Sequence, residues 1–321
     1  MDNLATEEEV ARASKIFSSL VNNVAQVIKG KNNVIHMSCV CLFAGGHLLI
    51  EDVPGVGKTT LAKSLAVSMG GTQSRIQFTP DLLPSDVTGT TIFDQTTNEF
   101  VFKHGPIFSN VVLADEINRA SPKTQSALLE AMEERRVTFD GKTYILPHPH
   151  MVIATQNPIE LSGTYTLPEA QLDRFMMSLS IGYPDDVDEV SIMLSTDTKP
   201  DIMPVMSTND FQTVSEICKR VYVAESLANY IVTLANETRE NVDVALGVSP
   251  RGSIALYHSA QVLAMSMGRH YVTPDDIKSL AYKVWEHRIV LTSQARLAGA
   301  TSQDVLSSII SRVSVPTMKA V

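Results

Sequence analysis

Residues 47–65 read HLLIEDVPGVGKTTLAKSL, and this stretch decides the fold. A short apolar run over residues 48–50 leads into a glycine-bearing turn. A Lys-Thr pair at 58 and 59 then opens a segment with apolar residues at helical spacing. A strand, a glycine-bearing loop, Lys-Thr and a helix are the parts of a phosphate-binding loop. Backbone N–H groups and the positive end of the helix surround an anion there, and glycine lets the backbone approach it closely.

Two side chains of this loop have predicted roles. Lys58 would reach the β- and γ-phosphates of a nucleotide, and the Thr59 hydroxyl would bind Mg²⁺. The strict pattern has glycine where this chain has Asp52. Because Asp tolerates a left-handed backbone, we expect the turn to survive. Taken alone, the stretch also fits a solvated turn before a surface helix.

The composition is that of a globular chain. Hydrophobic residues make up 44% of the 321 residues and charged residues 19%, which allows one large domain or two ordinary ones and shows no bias toward disorder. The formal net charge of −9 is spread along the chain. This charge argues against a general nucleic-acid binder.

The sequence also predicts a compartment. The first ten residues, MDNLATEEEV, are acidic where a signal peptide would be basic and then apolar. No apolar run approaches the roughly 20 residues that a membrane span needs. Cys39, Cys41 and Cys218 show no Cys-x-x-Cys spacing and fit a reducing compartment. We therefore expect a cytoplasmic protein with no membrane span.

A second motif, NVVLADEINRA, occupies residues 110–120. Its apolar run is typical of a strand that is covered on both faces of a parallel sheet. The run ends in Asp115 and Glu116, and ligands of open α/β sheets bind beyond the carboxyl ends of the strands. One carboxylate would serve the Mg²⁺ shell, and the other would polarise an attacking water. By itself, the motif also fits a strand that ends in a charged turn.

Two further polar residues follow predicted elements. Asn157 ends another buried strand at 151–155, where it would contact the γ-phosphate or its water, or simply cap a turn. Arg174 lies near the end of a short helix within residues 167–175, a position that is usually only solvated.

The remaining pattern divides the chain. Hairpins are predicted at residues 90–102 and 137–146, the second with a favoured Asp-Gly turn. Residues 196–208 contain two prolines and little periodicity, so we interpret them as a linker. Everything beyond the linker has helical periodicity. We therefore predict two domains, residues 1–200 and residues 201–321, the second being an α-helical bundle.

Taken together, the motifs resemble AAA+ ATPases and, within that group, the MoxR family. LIEDVPGVGKT, VVLADEINRA, VIATQNP, LPEAQLDRF and SPRGSIAL occur in family order over about residues 24–287. The resemblance implies an α/β P-loop NTPase core, with a parallel sheet flanked by helices, and a C-terminal α-helical lid domain. The family also tolerates Asp at the position of Asp52.

The resemblance assigns roles residue by residue. Asp115 corresponds to the Mg²⁺-associated Walker B acid, Asn157 to sensor 1 and Arg251 to sensor 2. Arg174 corresponds to an arginine finger that enters the neighbouring subunit's site. The implied catalytic residues are Lys58, Glu116, Asn157, Arg174 and Arg251. The implied metal ligands are Thr59 and Asp115. The implied contacts to ATP are Val27, Ile28, Gly30, Pro54, Gly55, Val56, Gly57, Lys58, Thr59, Thr60, Asp115, Asn157 and Arg251.

The resemblance also implies assembly and partners. We expect ATP and Mg²⁺ as cofactors, a homo-oligomer in the form of a hexameric ring, and a chaperone acting on protein complexes, in some cases with a separate von Willebrand factor A domain protein. Gln77, at the end of a predicted strand, is a candidate polar switch for Glu116. Two alternatives stay open: a nucleotide-gated binding module with little turnover, and a DNA motor or transcription regulator.

Overall fold

The computed structural model describes residues 4–53, 55–157, 164–194 and 202–316. The helices in chain order are α1 (Glu7–Ala25), α2 (Asn32–Phe43), α3 (Lys58–Ser68), α4 (Pro84–Thr88), α5 (Pro122–Glu134), α6 (Glu169–Leu172), α7 (Asp186–Leu194), α8 (Thr208–Lys219), α9 (Glu225–Glu240), α10 (Pro250–Ser266), α11 (Pro274–Trp285), α12 (Ser293–Leu297) and α13 (Ser302–Arg312). The strands are β1 (Leu48–Glu51), β2 (Gln73–Gln77), β3 (Gly89–Asp94), β4 (Glu99–His104), β5 (Val111–Asp115), β6 (Arg136–Phe139), β7 (Lys142–Ile145), β8 (Met151–Gln156), β9 (Met177–Leu179), β10 (Val244–Leu246) and β11 (Val290–Leu291).

Five parallel strands form the central sheet in the order β2-β5-β8-β1-β9. The register pairs Gln77 with Asp115 and Ile50 with Thr155, so neighbouring strands end side by side. The predicted α/β core with a parallel sheet is confirmed. Because all five strands run the same way, the segments that follow them lie along one edge of the sheet.

Both faces of the sheet are buried. Alternate side chains of the central strands, such as Leu113 and Ile153, enter a large core with α1, α2, α3 and the C-terminal helices. The intervening side chains, such as Val112 and Val152, enter a second core with α5. This double burial explains why the strands have continuous apolar runs rather than alternating ones.

Two hairpins project from the core, as predicted. β3 pairs with β4, and β6 pairs with β7 across a turn in which Asp140 and Gly141 both have positive φ. Positive φ at both turn residues is what a two-residue type I′ hairpin requires. The Phe102 ring stacks on the Tyr144 ring with centroids 4.2 Å apart, so the two hairpins contact each other through aromatic side chains.

The C-terminal part is mainly helical, as predicted, and contains a small β-sheet in addition. β10 and β11 form a small antiparallel sheet whose strands are separated by more than 40 residues of sequence. Strands of three and two residues are too short for a periodic signal, and their pairing is not local. Helices α12 and α13 follow β11 and agree with the helical prediction for residues 201–321. Among the described residues, no helix is both long and apolar enough to cross a membrane.

The predicted linker is only partly described, because residues 195–201 lie outside the described ranges. Its later residues pack onto the core: Met206 is buried, the Val205 N–H donates to the Ser68 carbonyl, and Asn23 donates to the Met203 carbonyl. Helix α8 continues this packing, with Phe211 stacked on Phe43 at 4.7 Å between ring centroids. The hydrophobic core therefore runs across residue 200, and the domain boundary there stays a prediction.

Replacing Phe43 with Ala should destabilise the protein. The ring is fully buried between Phe17 and Phe211, so truncation leaves a cavity and should lower the free energy of unfolding by about 3 to 5 kcal/mol. Chemical denaturation of the purified variant measures this loss. Phe100→Ala is the matched control, because the Phe100 side chain is 75% exposed on β4 and its loss should cost about 0.5 kcal/mol or less. Equal losses for the two variants would contradict the packing described here.

Candidate functional site

A cavity of about 340 Å³ lies at the carboxyl ends of the strands. Its lining comes from the loop after β1, the start of α3 and the ends of β2, β5 and β8. The lining residues are Gly55, Gly57, Lys58, Thr59, Thr60, Arg75, Gln77, Asp115, Glu116 and Asn157. Most of the residues predicted from two separate sequence motifs therefore share one cavity.

The loop after β1 has the backbone geometry of an anion cradle. Gly55 and Gly57 have φ values of 87° and 96°, a left-handed region that disfavours other residues. Gly57 is the N-cap of α3, so the first free N–H groups of the helix face the cavity entrance. A Cβ at either glycine would meet no atom within 4 Å, which leaves this side open for a ligand.

Lys58 extends into the same cavity. Its Nζ donates to the Asp52 carbonyl at 2.7 Å. Burial lowers the pKa of Lys58, although the carboxylates of Asp115, Asp52 and Glu116 oppose this effect. The side chain thus already lies where phosphate oxygens would replace a single backbone acceptor.

Asp52 corrects a sequence-based expectation. It does not adopt a left-handed conformation; its carboxylate instead accepts hydrogen bonds. Oδ2 accepts from the N–H of Ile181 at 2.6 Å and of Gly182 at 2.7 Å, and also from the Ser180 hydroxyl. Burial alone would raise the pKa of Asp52, but these hydrogen bonds outweigh it and the net pKa is lowered. The carboxylate therefore fastens the start of the phosphate loop to the segment after β9.

Thr155 links the two acids of the second motif. Its hydroxyl donates to Asp115 Oδ1 at 2.7 Å and accepts from the Glu116 N–H at 2.9 Å. Thr155 is almost fully buried at the end of β8, next to the end of β5. One buried hydroxyl thus fixes both the side chain of Asp115 and the backbone of Glu116.

Glu116 is held in a strained and paired state. Its backbone has φ 57° and ψ 49°, a left-handed conformation that costs a non-glycine residue about 1 kcal/mol or more. Its Oε2 accepts from Gln77 Nε2 at 2.9 Å and from Arg119 Nη1 at 3.0 Å. Gln77 therefore contacts Glu116, while its role as a polar switch stays a prediction, and Arg119 is an additional partner that the sequence did not reveal.

Some predicted nucleotide contacts lie elsewhere. Asn157 is buried and lines the cavity, but Val56 packs partly buried against the large core. Ile28 also packs against that core, and Val27 is held in the turn after α1. Gly30 has φ 68° and lies under the Asp188 carboxylate of α7. None of these last four residues lines the cavity, and Pro54 lies outside the described residues.

Arg174 and Arg251 form a separate cluster. Both contact Glu133 near the end of α5: Arg174 Nε lies 3.2 Å from Oε2, an ion pair without hydrogen-bond geometry, and Arg251 Nη2 donates to Oε1. They line a second cavity of about 200 Å³ together with Gly46 and His47, which precede β1. The cluster therefore lies at the amino-terminal edge of the sheet, opposite the phosphate loop.

Arg288 holds the segment that carries Arg174. This buried guanidinium donates to Asp173 Oδ1 at 2.8 Å and to the carbonyls of Asp173, Phe175 and Met176. Burial lowers its pKa, while Asp173 opposes that shift. The Ser249 hydroxyl, at the N-cap of α10, also donates to Asp173. The C-terminal helices thereby set the position of Arg174.

The first cavity fits a magnesium nucleotide. Backbone N–H groups and Lys58 suit phosphate oxygens, while Thr59 and Asp115 offer the oxygen ligands that Mg²⁺ prefers. Mg²⁺ sites of this kind use few protein ligands and complete the shell with phosphates and water. Such a site does not require a cluster of three or more His, Cys, Asp or Glu side chains. Among the described residues, no cluster of that kind could hold a metal ion.

Comparison with known proteins agrees with this geometry. The model of the ATPase family associated with various cellular activities (AAA) matches residues 47–177, and the AAA lid domain model matches residues 236–309. Chaperone MoxR1 of Mycobacterium tuberculosis is 41% identical over 93% of this chain and 82% of its own length. Uncharacterized protein YeaC of Bacillus subtilis is 47% identical over 95% of this chain and 96% of its own length. A crystal structure of a candidate ATPase from Cytophaga hutchinsonii is 38% identical, with a TM-score of 0.91 over 97% of this chain and 98% of that one.

Replacing Asp52 with Asn should destabilise the protein in a pH-dependent way. Loss of the charged acceptor weakens the hydrogen bonds from the Ile181 and Gly182 N–H groups and should cost about 1.5 to 3 kcal/mol at pH 7. Since the folded pKa is lowered, the stabilisation is complete above the ordinary Asp pKa of about 3.9 and is lost as pH falls below it. Denaturant unfolding at several pH values should show the wild-type advantage shrinking below about pH 4. The exposed-residue control Glu240→Gln should change stability by about 0.5 kcal/mol or less, and a deficit in Asp52→Asn that does not change with pH would refute this role.

Proposed function

Because the chain belongs to the MoxR family of AAA+ ATPases, we propose that it hydrolyses ATP with Mg²⁺ and uses the energy to remodel protein complexes as a chaperone. One observation carries the proposal. A single cavity brings together the phosphate loop with Lys58, the acid pair Asp115 and Glu116, and Asn157. A binding site alone has no need of a second, strained carboxylate beside the metal ligand.

The cavity residues divide the chemistry among them. The N–H groups at the start of α3 and Lys58 would bind the phosphates. Thr59 and Asp115 would hold Mg²⁺, whose charge stabilises the negative charge that develops during phosphoryl transfer. Glu116 would orient the attacking water and accept its proton once Gln77 and Arg119 release the carboxylate. Asn157 would contact the γ-phosphate or that water.

We propose that Arg174 and Arg251 act on the nucleotide of a neighbouring subunit. The phosphate loop follows the carboxyl end of β1, whereas the arginine cluster lies at the amino-terminal edge. The four residues of β1 span about 13 Å at roughly 3.3 Å per residue, and the sheet fills the space between the two edges. With the sheet in between, neither guanidinium would reach the phosphates of a nucleotide bound to the same subunit. A head-to-tail contact between subunits would join the two edges, and repeated contacts of this type give a ring when their rotation closes.

The ring that we propose is hexameric by resemblance to the family, and the paired hairpins are the surfaces that we assign to the client. The β3–β4 hairpin exposes Phe93 and Phe100, which contact each other edge to face at 5.3 Å. Exposed apolar patches are typical of surfaces that bind other proteins. A separate von Willebrand factor A domain partner and a cytoplasmic location stay predictions.

Lys58→Ala should abolish tight ATP binding, and Glu116→Gln should keep binding but stop turnover. Lys58 supplies positive charge to the phosphates, while Glu116 acts only on the water. We expect Lys58→Ala to bind ATP at least about tenfold more weakly and Glu116→Gln to hydrolyse at least about 100-fold more slowly. Calorimetric titration and phosphate release measure the two effects.

Lys63→Ala is the matched control, because Lys63 lies exposed on the same helix, outside the cavity lining. It should bind and hydrolyse ATP like the wild type. If the wild type shows no Mg²⁺-dependent hydrolysis at micromolar protein concentration, the enzymatic proposal fails. If ATP binds but Glu116→Gln turns over at the wild-type rate, Glu116 is not the catalytic base.

Mixing two inactive variants tests the shared site. Arg174→Ala retains a complete phosphate loop, and Lys58→Ala retains a complete arginine cluster. If each site combines two subunits, equimolar mixing should recover about a quarter of the wild-type rate, from the random pairing of competent neighbours in a ring. Each variant alone should stay low, because an arginine finger contributes about 10³ or more to the rate. If the two variants co-assemble but the mixture hydrolyses ATP no faster than the sum of the separate variants, Arg174 serves its own subunit.

A further inference from the structure

Arg75 is a cavity residue for which the proposed function has no role. It lies on β2, the edge strand of the sheet, two residues before Gln77. Its side chain crosses to β5, where Nη2 lies 2.6 Å and Nε 3.2 Å from Asp115 Oδ2. The guanidinium therefore directs two N–H groups at one oxygen of the residue assigned to Mg²⁺.

The guanidinium is held in this orientation. Nη2 also donates to Gln77 Oε1 at 2.7 Å, so the planar group has acceptors on two sides. The Arg75 side chain is 49% exposed, whereas that of Asp115 is 17% exposed. The cation thus covers the solvent side of a mostly buried carboxylate.

Both oxygens of Asp115 have partners in this state. Oδ1 accepts from the Thr155 hydroxyl, which is buried and also bound to the Glu116 backbone. Oδ2 accepts from Arg75 alone among the hydrogen bonds of the described residues. Of the two partners, only Arg75 is exposed enough to move away. Arg75 would therefore compete with a bound Mg²⁺ for the lone pairs of Oδ2.

We propose that Arg75 is the counter-ion of Asp115 in the nucleotide-free subunit and is displaced when Mg²⁺ enters with the nucleotide. This inference rests on the proposed function, since it assumes that Asp115 serves the metal. Arg75 is then a positioning residue: it keeps the carboxylate paired without nucleotide and sets the Mg²⁺ concentration at which ATP binding is strengthened. Its removal relieves the competition.

The test compares ATP binding with and without Mg²⁺. Full-length protein, wild type or Arg75→Gln, is titrated calorimetrically with a non-hydrolysable ATP analogue, once in EDTA and once in saturating Mg²⁺. The readout is the dissociation constant in EDTA divided by the dissociation constant in Mg²⁺. A general loss of positive charge near the phosphates affects both constants and therefore cancels in this ratio. We expect Arg75→Gln to raise this ratio about two- to fivefold, equivalent to about 0.4 to 1 kcal/mol, as for a partly exposed ion pair.

Two further variants sharpen the result. Arg75→Lys keeps the charge but loses the two-pronged contact, so its ratio should lie between wild type and Arg75→Gln. Arg136→Gln removes another exposed, ion-paired arginine, on the β6 hairpin, and should leave the ratio unchanged. Thermal unfolding of each nucleotide-free variant reports whether it is folded.

Three outcomes would overturn the inference. An unchanged ratio in folded Arg75→Gln would make the pair only structural. A lowered ratio would make Arg75 a partner of the Mg²⁺-bound phosphates rather than a competitor. Wild-type protein that binds no ATP in either condition would refute the proposed function and the inference with it, whereas the first two outcomes leave the proposed function standing.

Discussion

The parallel alignment of five strands is the constraint on which the rest of the structure depends. It collects the ends of β1, β2, β5 and β8 at one edge, where the phosphate loop and both acids meet. The same alignment places the residues that directly precede β1 and β9 at the other edge, and Arg174 and Arg251 line a cavity with them. Under the proposed function, a single subunit has both halves of a phosphoryl-transfer site but keeps them apart. Assembly would then be part of the chemistry and not only of the architecture.

Hydrogen bonds between neighbouring elements of the sheet turn this alignment into a defined site. The Asp52 carboxylate ties the phosphate loop to the chain after β9, and the Thr155 hydroxyl ties β8 to Asp115 at the end of β5 and to Glu116 after it. Each bond joins elements that are distant in sequence but adjacent in the sheet. The Glu116 carboxylate, by contrast, is held by two partly exposed side chains, Gln77 and Arg119, next to a strained backbone. The fixed parts position the ligand, and the loosely held part is the one expected to act.

Site residues that belong to one contiguous motif could be predicted from the sequence. Site residues that meet only through strand pairing or through the tertiary fold could not. The loop around Lys58 and the acids after β5 are local patterns with a physical reason for each residue. Arg75, Thr155 and Arg119 act through the strand pairing or a turn that no local pattern reveals, and Arg288 acts across more than 100 residues of sequence. Asp52 was predicted to tolerate an unusual backbone, yet its role is to accept hydrogen bonds. Arg251 was expected among the nucleotide contacts, but only the fold shows that it lies beside Arg174.

The most direct test of the shared site is an electron cryo-microscopy structure of Glu116→Gln assembled with ATP and Mg²⁺. We predict that the Arg174 guanidinium lies within hydrogen-bond distance, about 2.7 to 3.2 Å, of the nucleotide held by Lys58 of the adjacent subunit. Arg251 should lie on the same side of that nucleotide. A nucleotide-filled assembly in which both arginines face solvent, or the phosphates of their own subunit, would contradict the account.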